Sequence, residues 1–212
     1  MKTLKLGLLL MLFGAPNSVH AQFTPVSAKI RQTDTKKVDG KDVVIVKEGN
    51  YYRSSDGSVL IQWLTVNGEK AWDGTLEDNA EPAFYHLDYK QQRAYQEASH
   101  PGHTAKPGSF SVVNDIGGDS VEGVPCRIAP VKLVPPGQSS QQARQEAGRV
   151  CVSAQYDLML WEDWNVVPTE RSRLELYGIK IGVEPDRGLF DVKSRFTVFA
   201  AKSSSPDLKK PQ

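Results

Sequence analysis

The feature that most constrains the fold is a series of short runs, rich in β-branched and aromatic residues, that alternate with turn signals. Val26 to Thr35 leads to Asp39-Gly40, Asp42 to Arg53 leads to Asp56-Gly57, and Ser58 to Asn67 ends at Gly68. Asp-Gly readily adopts the positive φ values that tight hairpins require. Helical periodicity is scarce, so the pattern predicts a mainly β chain with antiparallel hairpins and little helix.

The same pattern continues to the end of the chain. Gly178 lies where the apolar alternation changes phase, which predicts a β-bulge, and Pro185 to Phe190 predicts one helical turn. The connector Pro135 to Gly148 offers no apolar face, and we expect it to gate any opening in the sheet. The remaining predicted strands are Ala83 to Asp88, Gln92 to Ser99, Ser120 to Leu133, Arg149 to Trp164, Arg171 to Val183 and Arg195 to Ala201.

The first 21 residues have the composition of a secretory signal peptide. A basic start precedes the apolar run Leu6 to Phe13, and Val19-His20-Ala21 matches a cleavage site. The apolar run is shorter than the roughly 20 residues that span a bilayer. We therefore expect an exported protein, periplasmic or extracellular and not membrane-spanning, with a β-rich domain at 22–201 and a disordered tail at 202–212.

Charge excludes one class of partner. Removal of Lys2 and Lys5 with the signal peptide leaves 26 − 2 = 24 basic against 25 acidic side chains, a net charge of −1. Nucleic acid is therefore not an expected partner. The 39% hydrophobic and 24% charged fractions are those of an ordinary globular domain, which excludes collagen, coiled coil and disorder.

Export favours a disulfide between Cys126 and Cys151, the two cysteines of the chain. Two buried free thiols are the alternative. If the cysteines face each other in a hairpin, Val124 should pair with Ser153 and Ile128 with Arg149. Neither cysteine has a neighbour that would suggest a metal site.

The histidines of the sequence give little indication of a metal site or a catalytic site. His100 and His103 could present two imidazoles to a metal, but the Pro-Gly between them does not aim them rigidly, and solvated loop histidines are the alternative. His86 and Asp88 share one side of a predicted strand and could form a pair, although no nucleophile motif accompanies them. We assign no catalytic residue, no metal ligand and no cofactor, since loops for phosphate or dinucleotides are also absent from the sequence.

Short motifs are spread from Tyr52-Arg53-Ser54-Ser55-Asp56-Gly57 to Glu184-Pro185-Asp186 and Val192. They resemble a group of uncharacterised secreted bacterial proteins. More remotely, the succession of hairpins that ends in Pro185-x-x-x-Leu189-Phe190 and a last strand is similar to the lipoprotein-carrier (LolA/LolB-like) superfamily. That resemblance implies a curved antiparallel sheet forming an unclosed half-barrel, in proteins that ferry or sense apolar chains in the bacterial envelope. It assigns no functional residue. The motifs are Tyr52 to Gly57, Leu87-Asp88 with Ala94, Ile116-Gly117-Gly118, Val121 to Val124, Leu174 with Ile179, and Glu184-Pro185-Asp186 with Leu189-Phe190 and Val192.

Aromatic side chains are the candidate ligand-binding residues. If they line the concave face of a half-barrel, they could hold a lipid or acyl chain; the alternative is that they form the core. The sequence thus favours a non-enzymatic binding or carrier protein. An envelope interaction protein with a protein partner is the alternative, and a hydrolase is the third class. The candidate lining residues are Trp63 and Phe84 first, then Tyr52, Trp72 and Trp161.

Overall fold

The computed structural model describes residues 22–97, 115–133, 145–167 and 170–200. The predicted signal peptide, the tail, the loop with His100 and His103, and residues 135–144 of the connector lie outside this range. The strands are β1 (Val26–Val38), β2 (Lys41–Arg53), β3 (Val59–Val66), β4 (Glu69–Lys70), β5 (Asp73–Asp78), β6 (Ala83–Asp88), β7 (Arg93–Gln96), β8 (Gly117–Val121), β9 (Val124–Leu133), β10 (Gln145–Ser153), β11 (Leu158–Val167), β12 (Glu170–Ile181) and β13 (Thr197–Ala200).

These strands form one unclosed sheet in the order β13-β7-β6-β5-β3-β2-β1-β12-β11-β10-β9-β8, with β4 paired to β3. Every pairing is antiparallel except that of β13 with β7, which is parallel. Within the described ranges, helix is limited to a 3-10 turn, Arg187–Leu189, and one turn α1, Val192–Arg195. The predicted mainly β half-barrel is confirmed. None of the described helical segments has the length and apolar character needed to cross a bilayer.

Turn chemistry explains where the strands end, including two places where the prediction was wrong. Asp39-Gly40 adopts φ values of 50° and 76°, as the sequence predicted. Glu122-Gly123 adopts almost the same pair, 51° and 82°, and so divides the predicted strand Ser120 to Leu133 into β8 and β9. The predicted strand Arg149 to Trp164 is likewise divided at residues 154–157, and residues 145–148 of the connector belong to β10.

Two apolar clusters lie on opposite faces of the sheet. The first contains Ile30 and Trp63; the second contains Leu60 and Leu76. Strand β3 contributes side chains to both clusters, because alternate residues of a strand point to opposite faces. Leu60 is buried in the second cluster and Trp63 in the first. Val192 of α1 and Phe196 pack against the second cluster. The segment after β12 is thus a cover for one face of the sheet.

The β8–β9 turn is bonded to β12 at a bulge. Gly178 has φ 60°, and the register between β1 and β12 shifts beside it, which confirms the predicted irregularity. The N–H groups of Gly178 and Ile179 donate to the two carboxylate oxygens of Glu122, each at 2.9 Å. These backbone hydrogen bonds lower the pKa of Glu122.

The predicted disulfide between Cys126 and Cys151 is confirmed, with Cα atoms 5.5 Å apart. The antiparallel pairing of β9 with β10 is confirmed as well, but the predicted register was two residues off. Cys151 lies opposite Ile128, and Arg149 lies opposite Pro130. The cysteines therefore bridge diagonally, an arrangement that spacing alone does not distinguish from a directly opposed pair.

Replacing both cysteines by serine should lower the free energy of unfolding by about 3 kcal/mol, because the bridge limits the entropy of a loop closed over 25 residues of sequence separation. Urea unfolding of oxidised wild type, reduced wild type and the double variant checks this. The reduced protein should match the double variant. An unchanged midpoint in both would contradict the prediction.

Glu122→Gln should destabilise the fold at neutral pH, because one amide oxygen replaces a carboxylate that accepts two N–H groups. The folded-state pKa is lowered, so the contribution is complete above the ordinary value of 4.5 and is lost as the pH falls through the folded value. The difference between wild type and variant should therefore shrink in acid. Urea midpoints across a pH series measure it, and Glu69→Gln on β4, an exposed glutamate, is the control. A difference that stays constant with pH would contradict the role of this carboxylate.

Candidate functional site

The inner face of the sheet is identified by Arg53, at the end of β2. Its guanidinium donates to the carbonyl oxygens of Tyr156, at 2.6 Å, and Asp157 in the β10–β11 turn. In the strand order, β2 and β11 are separated by β1 and β12, so these bonds require the sheet to curl towards the side on which Arg53 lies. That side is the concave, or inner, face.

Arg53 closes one end of the curl. It is 4% exposed and also donates from Nη2 to the carbonyl of Thr24, at 2.8 Å, while its guanidinium lies 5.4 Å from the ring centroid of Phe23. Burial is the main influence on this group and lowers the pKa of Arg53; an arginine nevertheless stays charged. The result is a buried cation that draws the N-terminal segment and the β10–β11 turn together.

An apolar row crosses the middle of the inner face. Trp63 pairs with Gly49, Gly49 with Ile30, and Ile30 with Leu176, so the four share one row across β3, β2, β1 and β12. The three side chains are 8% exposed or less. Gly49 is required because a Cβ there would collide with the backbone carbonyl of Gln62 at the bulge between β2 and β3. This row provides the apolar floor of the inner face.

The next row away from Arg53 carries charge at both ends. Lys47 pairs with Gln32, Gln32 with Leu174, and Leu174 with Glu162, across β2, β1, β12 and β11. Lys47 and Glu162 are both half-buried. The Lys47 ammonium lies 5.7 Å from the ring centroid of Trp63, directly above the apolar row. We call this the charged row.

The row after that is polar and lies nearest the open end. Asp34 pairs with Ser172 and accepts hydrogen bonds from Ser172 Oγ at 2.6 Å and from Gln32 Nε2 at 3.1 Å. Trp164 lies opposite Ser172. The inner face thus changes from apolar to charged to polar over three successive rows.

The predicted lining residues do not lie together. Trp63 lies in the apolar row, whereas Tyr52 packs against the second cluster, on the convex face. Phe84 contacts His86 edge-to-face at 5.2 Å and belongs to neither cluster. Trp72 is 41% exposed beneath Lys70. Trp161 packs at the margin of the first cluster and has the guanidinium of Arg173 over its ring.

The pair of His86 with Asp88 does not form. His86 Nε2 lies 3.7 Å from the carboxylate of Glu97, just after β7, while Asp88 accepts from the backbone N–H groups of Lys90 and Gln91. The reason is local, because an aspartate at the end of β6 is better placed to bond the turn that follows it. Within the described ranges, no group of three or more potential metal ligands occurs.

Sequence reasoning missed the charged and polar rows altogether. Gln32, Asp34, Lys47, Glu162 and Ser172 are ordinary strand residues, and nothing in their local pattern indicates which of two faces becomes concave. Alternation does place Lys47 and Glu48 on opposite faces. Choosing between them required the partner strands.

No family model matches the chain, and no curated protein matches it. A similar solved structure is an uncharacterised conserved protein from Thermus thermophilus, with TM-score 0.47 and 10% identity over 84% of this chain and 90% of that one. PNGF-II gives TM-score 0.47 and 10% identity over 84% of this chain, which spans about a third (31%) of PNGF-II. A LolA superfamily protein from Nitrosomonas europaea gives TM-score 0.36 and 8% identity, over 79% and 89% of the two chains. The last match is to a member of the superfamily that the sequence resembles; at these TM-scores, the matches carry no argument about function.

Arg53→Lys should lower the free energy of unfolding by about 2 kcal/mol, because one ammonium cannot reach all the carbonyl oxygens that the guanidinium binds. Amide hydrogen exchange in the 154–157 turn should accelerate as well. Arg31→Lys is the matched control, since Arg31 makes a solvent-exposed pair with Glu48 on the convex face and should change stability by less than about 1 kcal/mol. Equal effects of the two substitutions would contradict the role of Arg53.

Proposed function

We propose that this protein is an exported, carrier-like binding protein of the bacterial envelope that holds an amphiphile, a lipid or acyl chain, on the inner face of its half-barrel. The observation that carries the proposal is the order of the rows. An apolar row with Trp63 and Leu176 lies directly below a charged row, and a polar row with Asp34 follows at the open end. An amphiphile has the same order of polarity along its length.

Partly covered apolar side chains provide the surface for the chain of the ligand. They surround the buried first cluster without being fully enclosed themselves. Each CH₂ removed from water against such a surface contributes about 0.8 kcal/mol and demands no directional contact. The partly buried aliphatic and tyrosine side chains packed against this cluster from the inner-face strands include Tyr51, Ile61, Leu174, Ile179 and Ile181.

The proposal assigns no catalytic residue. His86 is exposed and faces Glu97, with no hydroxyl bonded to it among the contacts of the described residues. A nucleophilic mechanism needs a hydroxyl held against the imidazole and a site for the developing charge. The binding role therefore rests on surface and polarity alone.

A second candidate function, an interaction protein, is favoured by the outer part of the β1–β2 hairpin. Val38, Val43 and Val44 are 51%, 43% and 49% exposed. Pairing of β2 with β3 begins only at Lys47, so one edge of β2 from Lys41 to Ile45 has no partner strand among the described residues. Exposed β-branched side chains on an open edge are typical of strand-to-strand association.

Protein isolated from its own envelope should carry an amphiphile that native mass spectrometry detects and solvent extraction removes. Leu174→Trp, which enlarges a side chain on the inner face, should lower the bound fraction about tenfold, because the added ring takes the space of the chain. Val46→Trp is the matched control: it enlarges a side chain on the opposite face of β2 and should leave occupancy unchanged. Circular dichroism verifies that both variants fold.

A folded, ligand-free wild type would overturn the proposal and leave the interaction function. Equal loss of ligand in the two tryptophan variants would overturn the assignment to the inner face. Val44→Lys, on the convex face of β2, separates the two functions, because it should weaken strand association and leave amphiphile binding intact.

A further inference from the structure

Most ionised side chains on the inner face of β1, β2, β3, β11 and β12 have a bonding partner. Arg53 binds backbone carbonyls, Asp34 accepts from Gln32 and Ser172, and Lys36 pairs with Glu170 at 3.5 Å. The exceptions are Lys41, which is exposed at the start of β2, and the half-buried residues Lys47 and Glu162. Over the described part of the chain, neither of these half-buried residues has a hydrogen bond or an ion pair, although Lys47 has its contact with the Trp63 ring.

The neighbouring residues in sequence behave differently. Glu48, next to Lys47, accepts from Arg31 on the convex face, and Asp163, next to Glu162, accepts from Arg171. At both positions, the outward charge is therefore neutralised while the inward one is not. A half-buried charge loses part of its hydration, and among the described residues only the Trp63 ring offsets part of this cost, at Lys47.

Lys47 and Glu162 cannot neutralise each other within the sheet. They are the two ends of the charged row, with Gln32 and Leu174 between them. Three strand spacings of about 4.8 Å separate their backbones by about 14 Å along the sheet. Because the sheet is concave on this side, both side chains extend towards a common space above the apolar row.

We propose that Lys47 and Glu162 bind the two charges of a zwitterionic headgroup, an anionic group such as a phosphate at Lys47 and a cationic ammonium at Glu162. This inference rests on the proposed function and specifies its ligand class. A purely anionic head would leave Glu162 unpaired and would lie close to Asp34. A purely cationic head would leave Lys47 unpaired. Only a headgroup that carries both charges gives Lys47 and Glu162 each a partner of opposite charge.

The position of the charged row relative to the apolar row agrees with this ligand. Trp63 lies below Lys47 within cation–π distance, so a headgroup at Lys47 places the start of its chain at the apolar floor. Leu174 interrupts the polar groups between the two charges and packs against the first cluster. The chain would therefore leave the headgroup at the middle of the row.

The test uses the full-length mature protein after solvent extraction, with three dioleoyl probes that differ only in their headgroups. These are phosphatidylethanolamine, which is zwitterionic, phosphatidylglycerol, which is anionic, and diacylglycerol, which is neutral. Competition measured by native mass spectrometry should favour phosphatidylethanolamine over phosphatidylglycerol by about tenfold, the effect of one charge-assisted contact, and over diacylglycerol, which lacks both contacts, by more.

Two variants should change this preference in different directions. Glu162→Gln should shift it towards phosphatidylglycerol, because the negative charge is removed. Lys47→Gln should abolish the preference for phosphatidylglycerol over diacylglycerol and reduce that for phosphatidylethanolamine to what the Glu162 contact alone supplies. Glu48→Gln and Asp163→Asn, on the convex face, are the matched controls and should leave the order of preference unchanged. A merely structural role of Lys47 or Glu162 would alter the affinity for all three probes alike.

The outcomes separate this inference from the proposed function. Equal binding of the three probes, unchanged by either variant, would overturn the headgroup assignment and leave amphiphile binding standing. A preference for phosphatidylglycerol in wild type would overturn the role of Glu162. Binding of none of the probes, together with ligand-free protein from the envelope, would overturn both.

Discussion

The curl of the sheet depends on one buried cation. Arg53 ends β2 and binds carbonyl oxygens of a turn that lies more than a hundred positions later in the chain. Backbone carbonyls satisfy a guanidinium without introducing a second charge, and its planar fork can bind several at once. Without these hydrogen bonds, no polar contact of Arg53 would hold the β10–β11 turn over the end of β2. The sheet has a concave inner face because this turn is held over the end of β2.

At the same end of the sheet, Glu122 provides a second connection of the opposite charge. A carboxylate there accepts the N–H groups that the bulge at Gly178 turns away from β1. A cation that binds carbonyls and an anion that binds amides thus hold two turns against the body of the sheet. Both contacts lie away from Asp34 and the polar row, so the end that the ligand would enter is not the end that maintains the curl.

Local sequence signals predicted the strands. Contacts between residues distant in sequence determine which side chains of those strands lie on the concave face. Asp39-Gly40 and Gly178 act through their own backbone conformations, so hairpin and bulge could be predicted from sequence. The bond between Cys126 and Cys151 followed from compartment and count, but its diagonal geometry depends on the register of β9 with β10, which the spacing does not reveal. The faces of Lys47 and Glu162 depend on the curl imposed by Arg53, which no local pattern encodes. The aromatic residues were misleading for the same reason, since Tyr52 and Trp63 belong to opposite faces.

The parallel pairing of β13 with β7 has a consequence for synthesis and folding. Thr197 lies beside Arg93, and Val192 and Phe196, just before β13, cover the second cluster. About a hundred residues must therefore be made before Leu60, Leu76 and Tyr85 receive their cover. At roughly 5–20 residues per second, that interval lasts roughly 5–20 s. Throughout it, a chain that still lacks α1 and β13 leaves uncovered an apolar surface that the finished molecule buries.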